Sequence, residues 1–67
     1  NILADVIIGL SAQVREFLTS GGLFLSSGII REREEDVIKA LRQNGFQVLD
    51  RLHEGEWVAL LAGLAHA

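Results

Sequence analysis

The chain has 67 residues, a net charge of −3 and no cysteine, and 49% of its residues are hydrophobic. That length allows one small domain, and the acidic balance argues against a nucleic-acid interface, which needs a basic patch. The sequence offers no disulfide or thiolate metal site, and no apolar run reaches the roughly 18–20 residues of a membrane span. A domain this small cannot bury so high a fraction of hydrophobic residues. We therefore expect part of its apolar surface to contact another chain or a missing part of the protein.

The first predicted element is an amphipathic helix that runs from about Leu3 or Ala4 to Thr19. Its apolar residues recur at the spacing of a helix, and Ser20-Gly21-Gly22 is a typical helix end because glycine adopts the left-handed cap conformation without penalty. Asp5 lies in the first turn, where a negative charge interacts favourably with the helix dipole. The helix therefore presents one broad apolar side to the rest of the domain.

Leu23-Phe24-Leu25 follows as a continuous apolar run rather than an alternating one. Such a run is typical of a strand that is buried on both faces, as in parallel α/β sheets. Ser26-Ser27-Gly28 is expected to open a loop. The next helix is predicted from about Glu32 to Asn44, with an acidic first turn, a narrow apolar stripe and Asn44-Gly45 as its stop signal.

Two further strands are predicted at the end of the chain. Phe46 to Leu52 forms the first, in which Phe46, Val48 and Leu52 share one face by the period of two. His53-Glu54-Gly55-Glu56 is a turn, and Trp57 to Ala62 forms the last strand, so that the two strands make a hairpin.

The predicted order is helix, strand, helix, strand, strand, which places the chain in the α/β class. A strand–helix–strand crossover is right-handed and gives parallel strands, and the hairpin then adds one antiparallel strand. We interpret this arrangement as the closing half of an open α/β sheet whose opening half is absent. The chain begins on Asn-Ile-Leu rather than on Met and has no charged leader, so we expect a cut within a longer protein.

Several segments together resemble a known family. They are Asn1-Ile2-Leu3-Ala4 before the first helix, Gly21-Gly22 with Leu23-Phe24-Leu25-Ser26-Ser27-Gly28-Ile29 after it, the Gly45-Phe46 exit, and Glu54-Gly55-Glu56-Trp57-Val58-Ala59-Leu60. The chain resembles the C-terminal end of the methyltransferases that modify lysines of the eleventh protein of the large ribosomal subunit. The resemblance covers the chain up to about Leu61, and its first and last segments are the most specific.

The resemblance implies a Rossmann-like sheet of seven strands, S-adenosylmethionine as cofactor and a ribosomal protein as substrate. The glycine-rich cofactor loop and the ribose-binding acidic residue of that class are not in this sequence. One binding position of the family is present in this sequence. The resemblance implies that the asparagine at the methyl-transfer end of the cofactor corresponds to Asn1. A neutral amide can orient an amine or the aminoacyl end of the cofactor without adding charge. Without the resemblance, Asn1 is more simply the N-cap of the helix that follows.

Other polar residues favour structural interpretations. His53 and His66 have no acidic or cysteine partner at metal spacing, so no metal site is expected, and His53 is placed in a solvated hairpin. The run from Arg31 to Asp36 is expected to be a solvated helix start. Glu54 and Glu56 are expected to lie in a solvent-exposed turn and not to act as a pair of catalytic carboxylates. Trp57 is expected in the core. Ser26-Ser27-Gly28 lacks the flanking glycine and the base of a nucleophile elbow.

We therefore interpret residues 1–67 as the C-terminal portion of a single methyltransferase catalytic domain, truncated at its N-terminus and cytoplasmic. The parent enzyme would transfer methyl groups to lysine or N-terminal amines of a ribosomal protein, without contacting nucleic acid or membrane, and the fragment is expected to be inactive. Catalytic residues are not assigned. We also expect self-association through the open edge of the first strand and the apolar helix. The alternative is a non-catalytic α/β module for dimerisation or interaction.

Overall fold

The structure, a computed structural model, describes residues 2–65. Asn1 and His66, which carry two of the sequence interpretations, lie outside the described residues. The elements are α1 (Ile2–Val14), a 3-10 turn (Arg15–Phe17), β1 (Leu23–Ile30), a 3-10 turn (Arg31–Arg33), α2 (Glu34–Gln43), β2 (Phe46–Glu54) and β3 (Trp57–Leu64). The predicted order of helix, strand, helix, strand, strand is confirmed. No helix in the described part of the chain is long and apolar enough to cross a membrane.

The three strands form one sheet in the order β1–β3–β2, and both pairings are antiparallel. The antiparallel last strand is confirmed. β1 and β2 run in the same direction, as the crossover through α2 requires, but β3 lies between them. The crossover therefore gives two strands of the same direction, as predicted, but they are not neighbours, because the hairpin folds its second strand back between them.

Both helices pack on the same face of the sheet. Residues directly opposite each other in a pairing share a face, and Val58, Leu60 and Ala62 of the central strand are all buried there. The core also contains side chains from both helices and the outer strands, namely Ala4, Ile7, Ile29, Val37, Ile38, Leu41 and Phe46. The ring centroids of Phe24 and Phe46 lie 5.7 Å apart, so the two rings link the starts of β1 and β2 across the sheet.

A partly buried polar contact joins the two helices. Asn44 caps α2 and donates from Nδ2 to the hydroxyl oxygen of Ser11 in α1 at 2.8 Å, and also to the carbonyl oxygen of Ala40. The Ser11 hydroxyl donates in turn to the carbonyl oxygen of Ile8 at 2.8 Å. Since buried polar groups are costly unless they are hydrogen-bonded, this chain of contacts favours one relative position of α1 and α2.

The opposite face of the sheet carries no helix from the described residues. We call it the open face. It exposes five large apolar side chains, which are Leu23, Leu25, Leu49, Leu52 and Trp57, each between 50% and 68% accessible. The expectations that Leu23-Phe24-Leu25 is buried on both faces and that Trp57 belongs to the core are therefore wrong for this chain. The pattern does describe apolar residues on both sides of β1, but only one side is covered.

Two irregularities alter the predicted strands. β1 continues through the expected loop to Ile30, because a register shift between Ser26 and Ile29 absorbs the extra residues while the pairing with β3 resumes. A second shift between Val48 and Asp50 reverses the alternation of β2. Leu52 consequently lies on the open face and not beside Val48, as a strict period of two predicted.

Candidate functional site

The carboxyl end of β1 meets the start of α1. We call this place the junction; it consists of the irregular segment Ser26–Ile29 and the first turn of α1. Gly28 has a φ of +73°, and a Cβ built on it would lie 2.8 Å from Cδ1 of Leu3. Glycine therefore serves two purposes here, since it adopts the left-handed backbone and allows the start of the helix to approach closely.

Ser26 adds a buried hydroxyl to the junction. Its side chain is 6% accessible, and its Oγ has no hydrogen-bond partner among the described residues. Its pairing opposite Leu60 places it on the helix-covered face. Among the described residues, this hydroxyl is the one buried side-chain polar atom without a hydrogen-bond partner. It is unusual, because most buried polar groups in folded proteins have one.

The sequence assigned cofactor binding to Asn1, which lies outside the described residues. The structure does show the context of the next residue, because α1 begins at Ile2. The first turn of this helix packs against the carboxyl end of β1 through Leu3, and open α/β sheets bind ligands at the carboxyl ends of their strands. The role of Asn1 stays a prediction.

Two acidic side chains from different helices bind one arginine near the junction. Arg33 donates to Asp5 of α1 at 2.7 Å and to Asp36 of α2 at 3.0 Å. The hydrogen bond from Arg33 lowers the pKa of Asp5 from its ordinary value, and the two carboxylates raise the pKa of Arg33. The expected helix start from Arg31 to Asp36 thus contains a link between the two helices.

A second charged cluster, the Glu34 cluster, lies between the start of α2 and the end of β2. It consists of Glu34, Glu35, Arg51 and His53. The His53 ring Nε2 lies 2.8 and 2.9 Å from the two carboxylate oxygens of Glu34, and Nη1 of Arg51 lies 3.5 Å from the carboxylates of both Glu34 and Glu35. The Glu34 side chain is only 10% accessible.

The Glu34 cluster corrects two sequence interpretations. His53 belongs to β2 and contacts a carboxylate, so it is not simply part of a solvated turn. Glu34 is buried, so the helix start is not solvated throughout. Sequence reasoning missed the contact because the two residues are 19 positions apart; the only local signal is that Arg51 and His53 share a face of β2. Glu54 and Glu56 are both exposed, as expected, but Glu54 is the last residue of β2 and only Glu56 lies in the turn.

The geometry limits the chemistry available to these residues. No three histidine, cysteine or acidic side chains of the described residues are grouped so that they could hold a metal ion. An ionised carboxylate only accepts hydrogen bonds, so the His53 Nε2–H donates to Glu34. The cluster therefore joins α2 to β2, whereas the junction combines the buried Ser26 hydroxyl with the close approach of the Leu3 side chain to Gly28.

Comparison with known proteins gives a consistent result. The family model described as ribosomal protein L11 methyltransferase (PrmA) matches residues 1–64. Proteins named ribosomal protein L11 methyltransferase are similar to the chain: it is 52% identical over 62 residues to the one from Thermoanaerobacter pseudethanolicus and 48% identical over 61 residues to the one from Ruminiclostridium cellulolyticum. These matches cover 92% and 91% of this chain but 20% and 19% of the relatives.

A solved structure agrees with the sequence relatives. The crystal structure of a ribosomal protein L11 methylase from Lactobacillus delbrueckii subsp. bulgaricus matches with a TM-score of 0.90 and 27% identity. The match covers 94% of this chain and 33% of that one. The chain thus spans about a fifth of the length of the curated relatives it matches. Since the family model covers nearly the whole chain, the chain belongs to the ribosomal protein L11 methyltransferase (PrmA) family.

Proposed function

We propose that this chain is the C-terminal portion of the catalytic domain of a protein methyltransferase that uses S-adenosylmethionine. The complete enzyme would transfer methyl groups to lysine or N-terminal amines of a ribosomal protein in the cytoplasm. The observation that carries this proposal is the family match over residues 1–64. The structural similarity over 94% of the chain to a solved ribosomal protein L11 methylase supports the same proposal.

The junction fits the methyl-transfer end of such a site. The bound cofactor would supply an electrophilic methyl group on a sulfonium. On the protein side, the contact of Leu3 with Gly28 holds the start of α1 against the carboxyl end of β1, and Asn1 directly precedes that start. The side-chain amide of Asn1 would orient either the amine, through its carbonyl oxygen, or the aminoacyl end of the cofactor, through its N–H groups. Proximity and orientation supply most of the rate in such a transfer.

The 67 residues alone are proposed to be inactive. In the methyltransferase class, the glycine-rich loop and the acidic residue that bind most of the cofactor belong to segments outside this sequence. A second candidate function is a non-catalytic interaction module, which the exposed apolar side chains of the open face favour. The two functions differ in whether Asn1 contributes to methyl transfer.

A chimera tests the proposed function. Residues 1–64 would replace the matched segment of the Thermoanaerobacter pseudethanolicus relative, and methyl transfer from labelled S-adenosylmethionine to purified ribosomal protein L11 would be measured. We expect activity in the chimera and none in the 67-residue chain. Asn1→Asp is the informative variant: aspartate caps a helix as well as asparagine does but lacks the N–H donors, so activity should fall by at least about tenfold without loss of stability.

The outcomes separate the candidates. An inactive chimera that is folded would refute the methyltransferase assignment and leave the interaction module. An active chimera in which Asn1→Asp has no effect, while Asn1→Ala lowers the melting temperature, would assign Asn1 to helix capping alone.

A further inference from the structure

The first turn of α1 is held by three consecutive residues. Leu3 lies against Gly28 at the junction, Ala4 is fully buried in the core, and Asp5 accepts a hydrogen bond from Arg33. Consecutive residues of an α-helix point about 100° apart, because one turn takes 3.6 residues. The three contacts therefore lie on different sides of the helix, and together they fix the position and the rotation of its start.

Two of these contacts come from one short stretch of chain. Gly28 lies near the carboxyl end of β1, and Arg33 ends the 3-10 turn that follows this strand and leads into α2. The stretch from Gly28 to Arg33 thus reaches the start of α1 both through an apolar contact and through an ion pair. The position of the residue before α1, which is Asn1, consequently depends on this stretch.

The guanidinium of Arg33 sets a direction as well as a distance. Its Nη2 lies 2.7 Å from Oδ1 of Asp5 in α1, and its Nε lies 3.0 Å from Oδ2 of Asp36 in α2. The group is planar, so the angle between these two donors is fixed, and a carboxylate held by one of them is aligned relative to the other. Both carboxylate side chains are more than 60% accessible, so the ion pairs add little to stability. Their main effect is to orient α1 relative to α2.

We propose that Arg33 is a positioning residue for methyl transfer: by holding Asp5 it fixes the first turn of α1 and thereby the direction of the Asn1 side-chain amide. This inference rests on the proposed function, in which Asn1 acts at the methyl-transfer end of the cofactor. Arg33 itself touches neither substrate nor cofactor in this proposal. A displacement of about 1 Å in a group that orients a reaction can cost about a hundredfold in rate, so a contact that adds little stability can have a large kinetic effect.

A second arginine provides a matched control in the chimera described above. Arg51 also pairs with two carboxylates, but both belong to α2, and it forms no ion pair with a described residue of α1. Arg33→Gln and Arg51→Gln would be assayed at a temperature at which melting curves show every variant to be folded. We expect kcat to fall at least about tenfold in Arg33→Gln, with the KM for S-adenosylmethionine changed less than about threefold, and both constants to stay within about twofold in Arg51→Gln. Asp5→Asn removes the same contact from the α1 side and should reproduce the loss in kcat.

A double-mutant cycle then shows whether Arg33 acts through Asn1. If it does, adding Arg33→Gln to Asn1→Ala should lower kcat by less than about twofold further, because no amide remains to be positioned.

Three results would overturn the inference and leave the proposed function standing, since the parent chimera is active in each. They are losses in kcat that multiply in the double variant, an unchanged kcat in both Arg33→Gln and Asp5→Asn, and equal losses in the two arginine variants. A folded parent chimera without methyl transfer would refute the proposed function and this inference with it.

Discussion

At the scale of single residues, Glu34 is the one buried charged residue of the described chain. Its carboxylate lies 2.8 Å from Nε2 of His53 and 3.5 Å from Nη1 of Arg51. Glu35 contacts the same arginine, but its side chain is exposed. A hydrogen bond to a buried charged group contributes more to stability than an ion pair in solvent, which is screened. The two neighbouring glutamates therefore form a matched pair for experiment.

Glu34→Gln should lower the free energy of unfolding by about 1–3 kcal/mol, because it removes the charge that faces Arg51 and replaces one of the two oxygens that contact His53 with an NH2 group. Glu35→Gln should lower it by less than about 0.5 kcal/mol. Urea unfolding of the two variants at neutral pH measures the difference. If both variants lose the same free energy of unfolding, the buried Glu34 contacts stabilise the protein no more than an exposed ion pair does.

Gly28 is the second critical residue, because its backbone is left-handed and Leu3 lies where a Cβ would be. Gly55 also has a positive φ, of +59°, but nothing lies near its Cβ position. Alanine at either site should cost about 1–2 kcal/mol for the backbone conformation alone. Only Gly28→Ala should also move Leu3, and hence shift the amide NMR signals of the first turn of α1. Shifts of the same size in Gly55→Ala would contradict the close contact at the junction.

At the scale of elements, the Asp5–Arg33–Asp36 contacts connect α1 to the start of α2. The pKa of Asp5 is lowered chiefly by the hydrogen bond from Arg33. A carboxyl group with a lowered folded-state pKa stabilises the protein fully above its unfolded value, near 3.8, and loses that contribution as the pH falls through the folded value.

The stability of wild type and Asp5→Asn should therefore differ at pH 5 and above and converge as the pH falls below about 4. Thermal unfolding across this pH range measures the convergence. Glu16→Gln is the control, since Glu16 is exposed and forms no ion pair among the described side chains. A difference between wild type and Asp5→Asn that persists undiminished at pH 2 would show that the contact acts through packing and not through charge.

The two edge strands also differ as elements. β2 carries Asp50, Arg51 and Glu54, and charges on an edge strand discourage pairing with another sheet. β1 has no charged residue in its eight positions and has β3 as its only strand neighbour in the described sheet. The unprotected edge of the sheet is consequently β1.

At the scale of the whole molecule, this difference predicts self-association of the 67-residue chain through β1. Sedimentation velocity should show dimers or larger species that increase with concentration. Leu25→Lys, which adds a charge to β1, should reduce association, whereas Leu49→Lys on the open face of β2 should reduce it less. A monomer at all concentrations would contradict the prediction, and an equal effect of both variants would assign association to the open face.

The sequence by itself determined the family and the order of the elements. The helices follow from apolar residues at helical spacing and the turns from Gly21-Gly22 and Gly45. The segments that carry the family resemblance are short and continuous, so no tertiary structure was needed to recognise them. Period and turn chemistry are local properties, and a local pattern suffices to predict them.

Only the tertiary structure decided how these elements meet. Two register shifts extend β1 and place Leu52 on the open face, and β3 enters between β1 and β2. The contact of Glu34 with His53 and that of Leu3 with Gly28 join residues far apart in the chain. Such contacts depend on strand register and on which surfaces become neighbours, which no local pattern specifies. For the same reason, the apolar run Leu23-Phe24-Leu25 predicted a strand correctly, while its exposure depends on a layer that the described residues do not supply.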